Sequence, residues 1–245
     1  MKHKAESIVP YNSNERKSKQ IIRMFDSIAT NYDKLNRTLS LGIDKLWRKK
    51  AIASLKSLAP ATMLDIASGT GDFAIEACRM LHPSKVIAAD ISEGMMNIGR
   101  DKVKKLGLQD VISFEYQDCT NLTLPSNSFD AITAGFGVRN FEDLEQGYRE
   151  MHRVLKPGGK AVILELSTPE YFPMKQMYKI YSKIVIPVVG RSVSKESRAY
   201  SYLPESIKHV PQGKEMCKIM SDSGFTKTSY KTFTFGVCTM YTAIK

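Results

Sequence analysis

A chain of 245 residues can bury the core of one α/β domain with an added helical cap, and its 42% hydrophobic and 25% charged content is that of an ordinary globular protein. No run reaches the ~20 apolar residues that span a bilayer, and the opening MKHKAESIVPYNSNERKSKQ lacks the apolar stretch of a secretory signal. The net charge of +11 is uneven, with 13 Lys/Arg against 5 Asp/Glu in residues 1–60, 11 against 16 in 61–170, and 12 against 4 in 171–245.

Basic flanks around an acidic centre suit a polyanion, either an anionic membrane surface or nucleic acid, and they equally suit plain solvated helix faces. Cys78, Cys119, Cys217 and Cys238 form no CxxC pair, and the four histidines have no paired-ligand spacing, so no metal site and no disulfide framework is expected. The polar composition of residues 1–17 predicts poor order there, leaving 18–245 as a single domain.

Residues 18–60 read as helical. Ile21, Ile22, Phe25 and Ile28 form one apolar stripe, and Ile43, Leu46, Trp47, Ile52 and Leu55 form a second. NYDKLNRTLSLG between them predicts a broken turn punctuated by Gly42. From Thr62 the rhythm changes to strand and helix in alternation. TMLDIAS is followed by the helical DFAIEACRML, and KVIAADI by SEGMMNIGRDKVKKLG with Ser92 as N-cap. VISFEYQD, FDAITAGF, the helix LEQGYREMHRVL and KAVILEL come next. That alternation predicts βαβ units and a parallel sheet covered on both faces. Residues 171–210, rich in Tyr, Met, Lys and Pro, interrupt it as a cap insertion. The helix GKEMCKIMSDSG then leads to FTKTSYKTFTF and VCTMYTAIK, an antiparallel pair around Gly236 that ends the sheet.

Ligands of open α/β sheets bind beyond the carboxyl ends of the strands. There the loop from Asp65 to Asp72 offers Gly69 and Gly71, which let a ligand approach the backbone. GTGDFA also satisfies the looser dinucleotide fingerprint, with Asp90 at about the right distance, so a nicotinamide dinucleotide competes at this point. Two features favour a cationic nucleoside. Asp65 would repel a pyrophosphate but suits an ammonium or sulfonium, and Asp65, Asp90 and Asp118 stand at successive strand ends. Asp90 can accept two ribose hydroxyls, while Asp118 and the Cys119 amide can meet adenine.

LDIASGTGDFA, AADISEGMM, FDAITAGFGVRNFED and LKPGGKAVILELS together resemble the quinone-biosynthesis C-methyltransferases. The first two are shared by many class I methyltransferases. GFGVRN, with MFDSIATNYDKLN upstream and YSYLPESI downstream, is more specific to the quinone enzymes. The resemblance runs from about residue 20 to the end.

It implies a Rossmann-like class I fold, mostly parallel with a C-terminal antiparallel strand. It also implies S-adenosylmethionine as methyl donor and carbon methylation of a demethylmenaquinol. Thr70, Asp90, Asp118 and Cys119 fall on the family's cofactor positions, with Gly135 beside them at the end of the fourth strand. Ser68 stands where Gly is commoner, and Cys119 where Ala is usual. Arg139 and Asn140 are the expected catalytic pair, Arg139 stabilising a quinolate and Asn140 orienting a hydroxyl or water, with Tyr32 closing over the ring. Arg139 alternatively pairs with Glu142 or Asp143 at a helix start. The expected partner is a prenylated naphthoquinol in a cytoplasmic setting, with peripheral contact to the inner face of the membrane through Lys175, Lys179, Lys183, Arg191, Lys195 and Arg198. No nucleic-acid partner is expected and a homodimer is left open. Another small-molecule acceptor, a benzoquinol among them, or RNA stays as the rival substrate.

Overall fold

A computed structural model describes residues 3–186, 188 and 197–245. Seven strands form one sheet in the order β3-β2-β1-β4-β5-β7-β6. They are β1 (Thr62–Ile66), β2 (Lys85–Asp90), β3 (Ile112–Tyr116), β4 (Phe129–Gly135), β5 (Leu155–Leu166), β6 (Thr226–Phe233) and β7 (Cys238–Ile244). β1 to β5 are parallel, and β7 lies antiparallel between β5 and β6. The sheet therefore ends in the antiparallel hairpin that its sequence predicts, with the last strand tucked inside.

Successive residues of β1 face opposite ways, as a strand requires. Leu64 packs with Tyr148, Met151, Met216 and Met220, which lie on α6 (Leu144–Val154) and α9 (Lys214–Asp222). Met63 packs on the other face with Trp47 and Ile52 of α3 (Ile43–Ala53), with Phe73 and Ala77 of α4 (Asp72–Leu81), and with Val103 of α5 (Glu93–Lys105). Burial on both faces explains why the central strands read as unbroken apolar runs. The Ser92 cap is confirmed, its hydroxyl accepting from the Met95 amide at 3.3 Å.

Two expectations for the N-terminal part are corrected. NYDKLNRTLSLG is not a turn: α2 (Lys17–Ser40) runs through it, and the chain reverses only at Leu41 and Gly42, both with left-handed φ. Tertiary bonds hold that polar stretch helical. Asp33 accepts from Thr70 Oγ1 at 2.7 Å and Lys102 Nζ at 2.9 Å, and Arg37 donates to Asp72 at 3.1 Å. Residues 3–17, expected to be poorly ordered, are packed against the body. The Glu6 carboxylate accepts from the Leu144 amide at the start of α6, and Lys17 Nζ donates to the carbonyls of Ala5 and Arg139. This short strap contains α1 (Lys4–Ser7), and it buries Ala5 and Tyr11.

In the expected cap, α7 (Met174–Ile180) continues through a π-helical turn over Tyr181–Val185, and α8 (Ser197–His209) follows. The Tyr181 hydroxyl donates to the Leu39 carbonyl at 2.6 Å and so ties α7 to the end of α2. Of the basic residues assigned to the cap, Arg191 and Lys195 lie outside the described residues.

Candidate active site

β1 gives way to a loop in which Ala67, Gly69 and Gly71 all have positive φ. Gly71, at φ +78°, is the position that only glycine fits, because a Cβ there would stand 2.8 Å from the Phe114 ring. The loop is pinned to the neighbouring strand by Asp90. One oxygen of its carboxylate accepts from the Gly69 amide at 2.7 Å and the other from the Ser92 amide at 2.9 Å. Burial pushes the Asp90 carboxyl above the usual carboxylate range, and those amides pull it back.

Asp90, Asp118 and Cys119 face one cleft with Gly69, Gly135, Tyr32 and Asn140. Asp118 is steadied by Thr120, whose amide and hydroxyl donate to it at 2.9 and 2.7 Å. Three acids (Asp90, Asp118 and Glu142) line the cleft, and among the described residues no lysine or arginine does. Carboxylates with no cation among the lining residues suit a positively charged ligand better than a pyrophosphate. Ile91, Leu122 and Phe141 supply apolar wall for a flat base. The cleft therefore fits a positively charged nucleoside and not a dinucleotide.

Three expected cofactor residues do not reach this cleft. Asp65 is 1% exposed and lies beneath the loop, where it accepts from Thr133 Oγ1 at 2.7 Å, and burial pushes its carboxyl up to about 7. Its second oxygen is buried with no partner among the described residues. Asp65 is the fourth residue of the five in β1, one short of the strand end, which keeps it inside the sheet. Thr70 points away, bonded to Asp33 and Lys102, and Gly71 caps α4.

A second cavity of about 400 Å³ lies beside the cleft, walled by α2, α3, α7 and α8 and mostly apolar. Phe25, Tyr32 and Phe136 line both spaces, so the two meet there. Phe25 and Tyr32 stack edge to face at 5.9 Å. Burial raises the Tyr32 phenol, and the nearby Arg139 guanidinium opposes that rise.

Arg139 belongs to the wall of the second cavity and Asn140 to the cleft. Arg139 pairs with neither Glu142 nor Asp143. Its Nη1 donates to Glu165 at 2.8 Å and to the Phe136 carbonyl, and its amide donates to the other Glu165 oxygen at 3.1 Å. Glu142 instead takes Arg16, and Asp143 caps α6. Asn140 Oδ1 accepts from the Tyr202 hydroxyl of α8 at 3.0 Å.

Glu165 was not anticipated. Its signal is a lone acid in the apolar run KAVILEL, 2% exposed in the structure. The ionic cluster of Arg37, Asp44, Arg48, Asp72, Lys102 and Asp33 was likewise invisible, because most of its bridges cross between helices at separations of 24 to 69 positions.

The sequence pattern of the ubiE/COQ5 methyltransferase family matches residues 12–245. The chain belongs to that family. The demethylmenaquinone methyltransferase of Bacteroides fragilis is 57% identical over 245 residues, all of both chains. The ubiquinone/menaquinone biosynthesis C-methyltransferase UbiE of Geobacter sulfurreducens is 42% identical, covering 99% of this chain and 94% of its own.

Among solved structures, a SAM-dependent methyltransferase from Aquifex aeolicus superimposes with a TM-score of 0.61 at 20% identity, over 86% of this chain and 97% of its own. At that identity the likeness speaks for the fold, a class I methyltransferase sheet. The ubiE/COQ5 match settles the competition with a dinucleotide enzyme in the direction to which the cation-free cleft already points. Among the described residues no group of His, Cys, Asp and Glu is arranged to hold a metal ion.

Proposed function

We propose that this chain transfers a methyl group from S-adenosylmethionine to a ring carbon of a demethylmenaquinol, giving a menaquinol. The observation that carries this reading is the meeting of two unlike spaces at Tyr32 and Phe136: an acid-lined cleft without a cation, and an apolar cavity with Arg139 in its wall. The name of the Bacteroides fragilis relative supports the same substrate.

When bound, S-adenosylmethionine supplies a methyl group whose bonding pair to sulfur stays with sulfur as the new carbon–carbon bond forms. The residues of this chain do the rest. Asp90 and Asp118 would hold its ribose and adenine ends in the cleft that Tyr32 also lines. Phe25, Tyr32 and Phe136 exclude water where the cleft meets the apolar cavity. The quinol carbon becomes nucleophilic as its neighbouring hydroxyl loses a proton, and Arg139 stabilises the oxyanion from a preorganised position, being fixed by Glu165 and the Phe136 carbonyl. Asn140, held by Tyr202, orients the hydroxyl or a water that carries the proton away. Once methylated, the ring carbon gives up its hydrogen as a proton and the oxygen regains one, so each turnover releases a single proton and the product keeps both hydroxyls.

The purified chain, given S-adenosylmethionine and a short-tailed demethylmenaquinol under a reductant, is expected to yield a product heavier by one CH₂, and to yield none from the oxidised quinone. Absence of that product, with labelled methyl appearing on RNA instead, would overturn the reading.

A peripheral seat on an anionic membrane belongs to the same proposal. Leu41, Tyr171, Phe172 and Phe235 are each at least 80% exposed, and Leu41 also lines the apolar cavity, whose wall continues through Thr234 next to Phe235. Lys175, Lys179 and Lys183 are exposed beside them, and residues 171–186 contain no acid. Apolar side chains with interleaved lysines suit the headgroup boundary of an anionic bilayer. No helix among the described residues is long and apolar enough to cross a membrane. Flotation with phosphatidylglycerol vesicles is expected to carry several times more protein than with phosphatidylcholine, and Phe172→Asp with Leu41→Asp should abolish the difference. Equal flotation on the two lipids would remove the membrane seat and leave the chemistry untouched.

A further inference from the structure

A second cation faces the apolar cavity. Arg48 of α3 lines the same wall as Arg139, and its side chain is 9% exposed. Its ionic contacts, to Asp44 and, at 3.7 Å, to Asp72, both use Nη1. Nε and Nη2 donate to no described residue, yet neither is sealed away: Arg139 Nε and Arg37 Nη1 are buried without a partner, while no Arg48 atom is. The Arg48 guanidinium carbon lies 5.4 Å from the centre of the Phe136 ring, and Arg139 Nη1 meets the carbonyl of that same Phe136. Both guanidiniums therefore border the same residue of the cavity wall, one at its ring and the other at its carbonyl. A lipid tail needs no hydrogen-bond donor, so free donors in this wall call for a second polar group on the ligand.

We propose that Arg48 binds the second oxygen of the quinol, the one remote from the methyl-accepting carbon, while Arg139 takes the first. Asp44 and Asp72 keep Arg48 charged and fixed, and they leave its outer donors for the substrate. The inference rests on the quinol reading above and makes the enzyme selective for 1,4-diols over naphthols with one hydroxyl. A site built to bond a hydroxyl rejects an analogue that lacks it, because its buried donors are left unpaired.

The test compares a short-tailed demethylmenaquinol with the corresponding 3-prenyl-1-naphthol, which keeps the hydroxyl next to the reacting carbon and lacks the other. The two rings differ in intrinsic reactivity, so the quantity read is the diol-to-naphthol ratio of kcat/KM in each protein; ring reactivity cancels between proteins. Arg48→Gln is expected to lower that ratio about 10- to 100-fold from wild type, mostly through KM for the diol. Arg48→Lys keeps the charge against Asp44 and Asp72 and guards against a folding defect in the glutamine variant. It should lower the ratio about three- to tenfold, since an ammonium cannot reproduce the planar fork. Wild-type ratios in both variants would overturn the role of Arg48 and leave the quinol reading standing. A wild-type protein that methylates neither compound would remove both.

Discussion

Arg139→Gln is expected to lower kcat for the quinol about 10²- to 10³-fold while leaving the affinity for S-adenosylmethionine within about threefold of wild type. The separation follows from placement, since Arg139 lines the apolar cavity and is absent from the acid-lined cleft. Glutamine keeps a donor but loses the charge that stabilises the oxyanion, so the variant should recover part of its rate at higher pH, where the hydroxyl ionises unaided. The same change also breaks a buried ion pair. Removing one partner of such a pair costs about 3–5 kcal/mol. The lower end applies here, because Glu165 still accepts from the amides of residue 139 and Leu166. Turnover, calorimetry and urea unfolding on one preparation separate the effects. Near-wild-type kcat in a folded variant would take the oxyanion role from Arg139. Glu165→Gln is the companion: Arg139 stays in the wall without its anchor, and a smaller loss of rate is expected.

The middle of the sheet was legible because β1, β2 and β4 are largely apolar runs that stop at or near glycine or aspartate, a pattern that burial on both faces imposes directly. The carboxylate row was legible only in part. Asp90 closes β2 and Asp118 follows β3, so both reach the rim. Asp65 is followed by Ile66 within β1, and that single residue puts its side chain under the loop against Thr133. The side chain of Thr70, which the family resemblance marked for the cofactor, bonds to Asp33 and Lys102 of the ionic cluster beneath α2.

The two misreadings of the N-terminal part share one cause. The polar stretch from Asn31 to Gly42 and the strap over residues 3–17 are weak by local propensity, and what fixes them is long-range: Arg37 on Asp72, Asp33 on Thr70 and Lys102, and Glu6 on the Leu144 amide. Contacts separated by 30 to 140 positions leave no periodic trace. These contacts also have a functional result. They hold α2 across the mouth of the cleft and place Tyr32 where the two cavities meet.

Asp90→Ala should raise the KM for S-adenosylmethionine about 100-fold or more with little change in kcat at saturation. Both oxygens of this carboxylate already accept one amide each, from Gly69 and Ser92. Each keeps a further acceptor site toward the cleft, enough for the two ribose hydroxyls. Two charge-assisted bonds lost together amount to about 3 kcal/mol, hence the hundredfold. The ribose is remote from the migrating methyl, so the loss is one of uniform binding and falls on KM rather than on kcat. Stability should drop as well, by about 1–3 kcal/mol, since the Gly69 and Ser92 amides lose their acceptor. Asp90→Asn sharpens the point. Its amide nitrogen would face a backbone N–H on one side, so it should bind the cofactor scarcely better than alanine despite its matching shape. A KM within threefold of wild type in both variants would mean that the nucleoside lies elsewhere along the sheet edge.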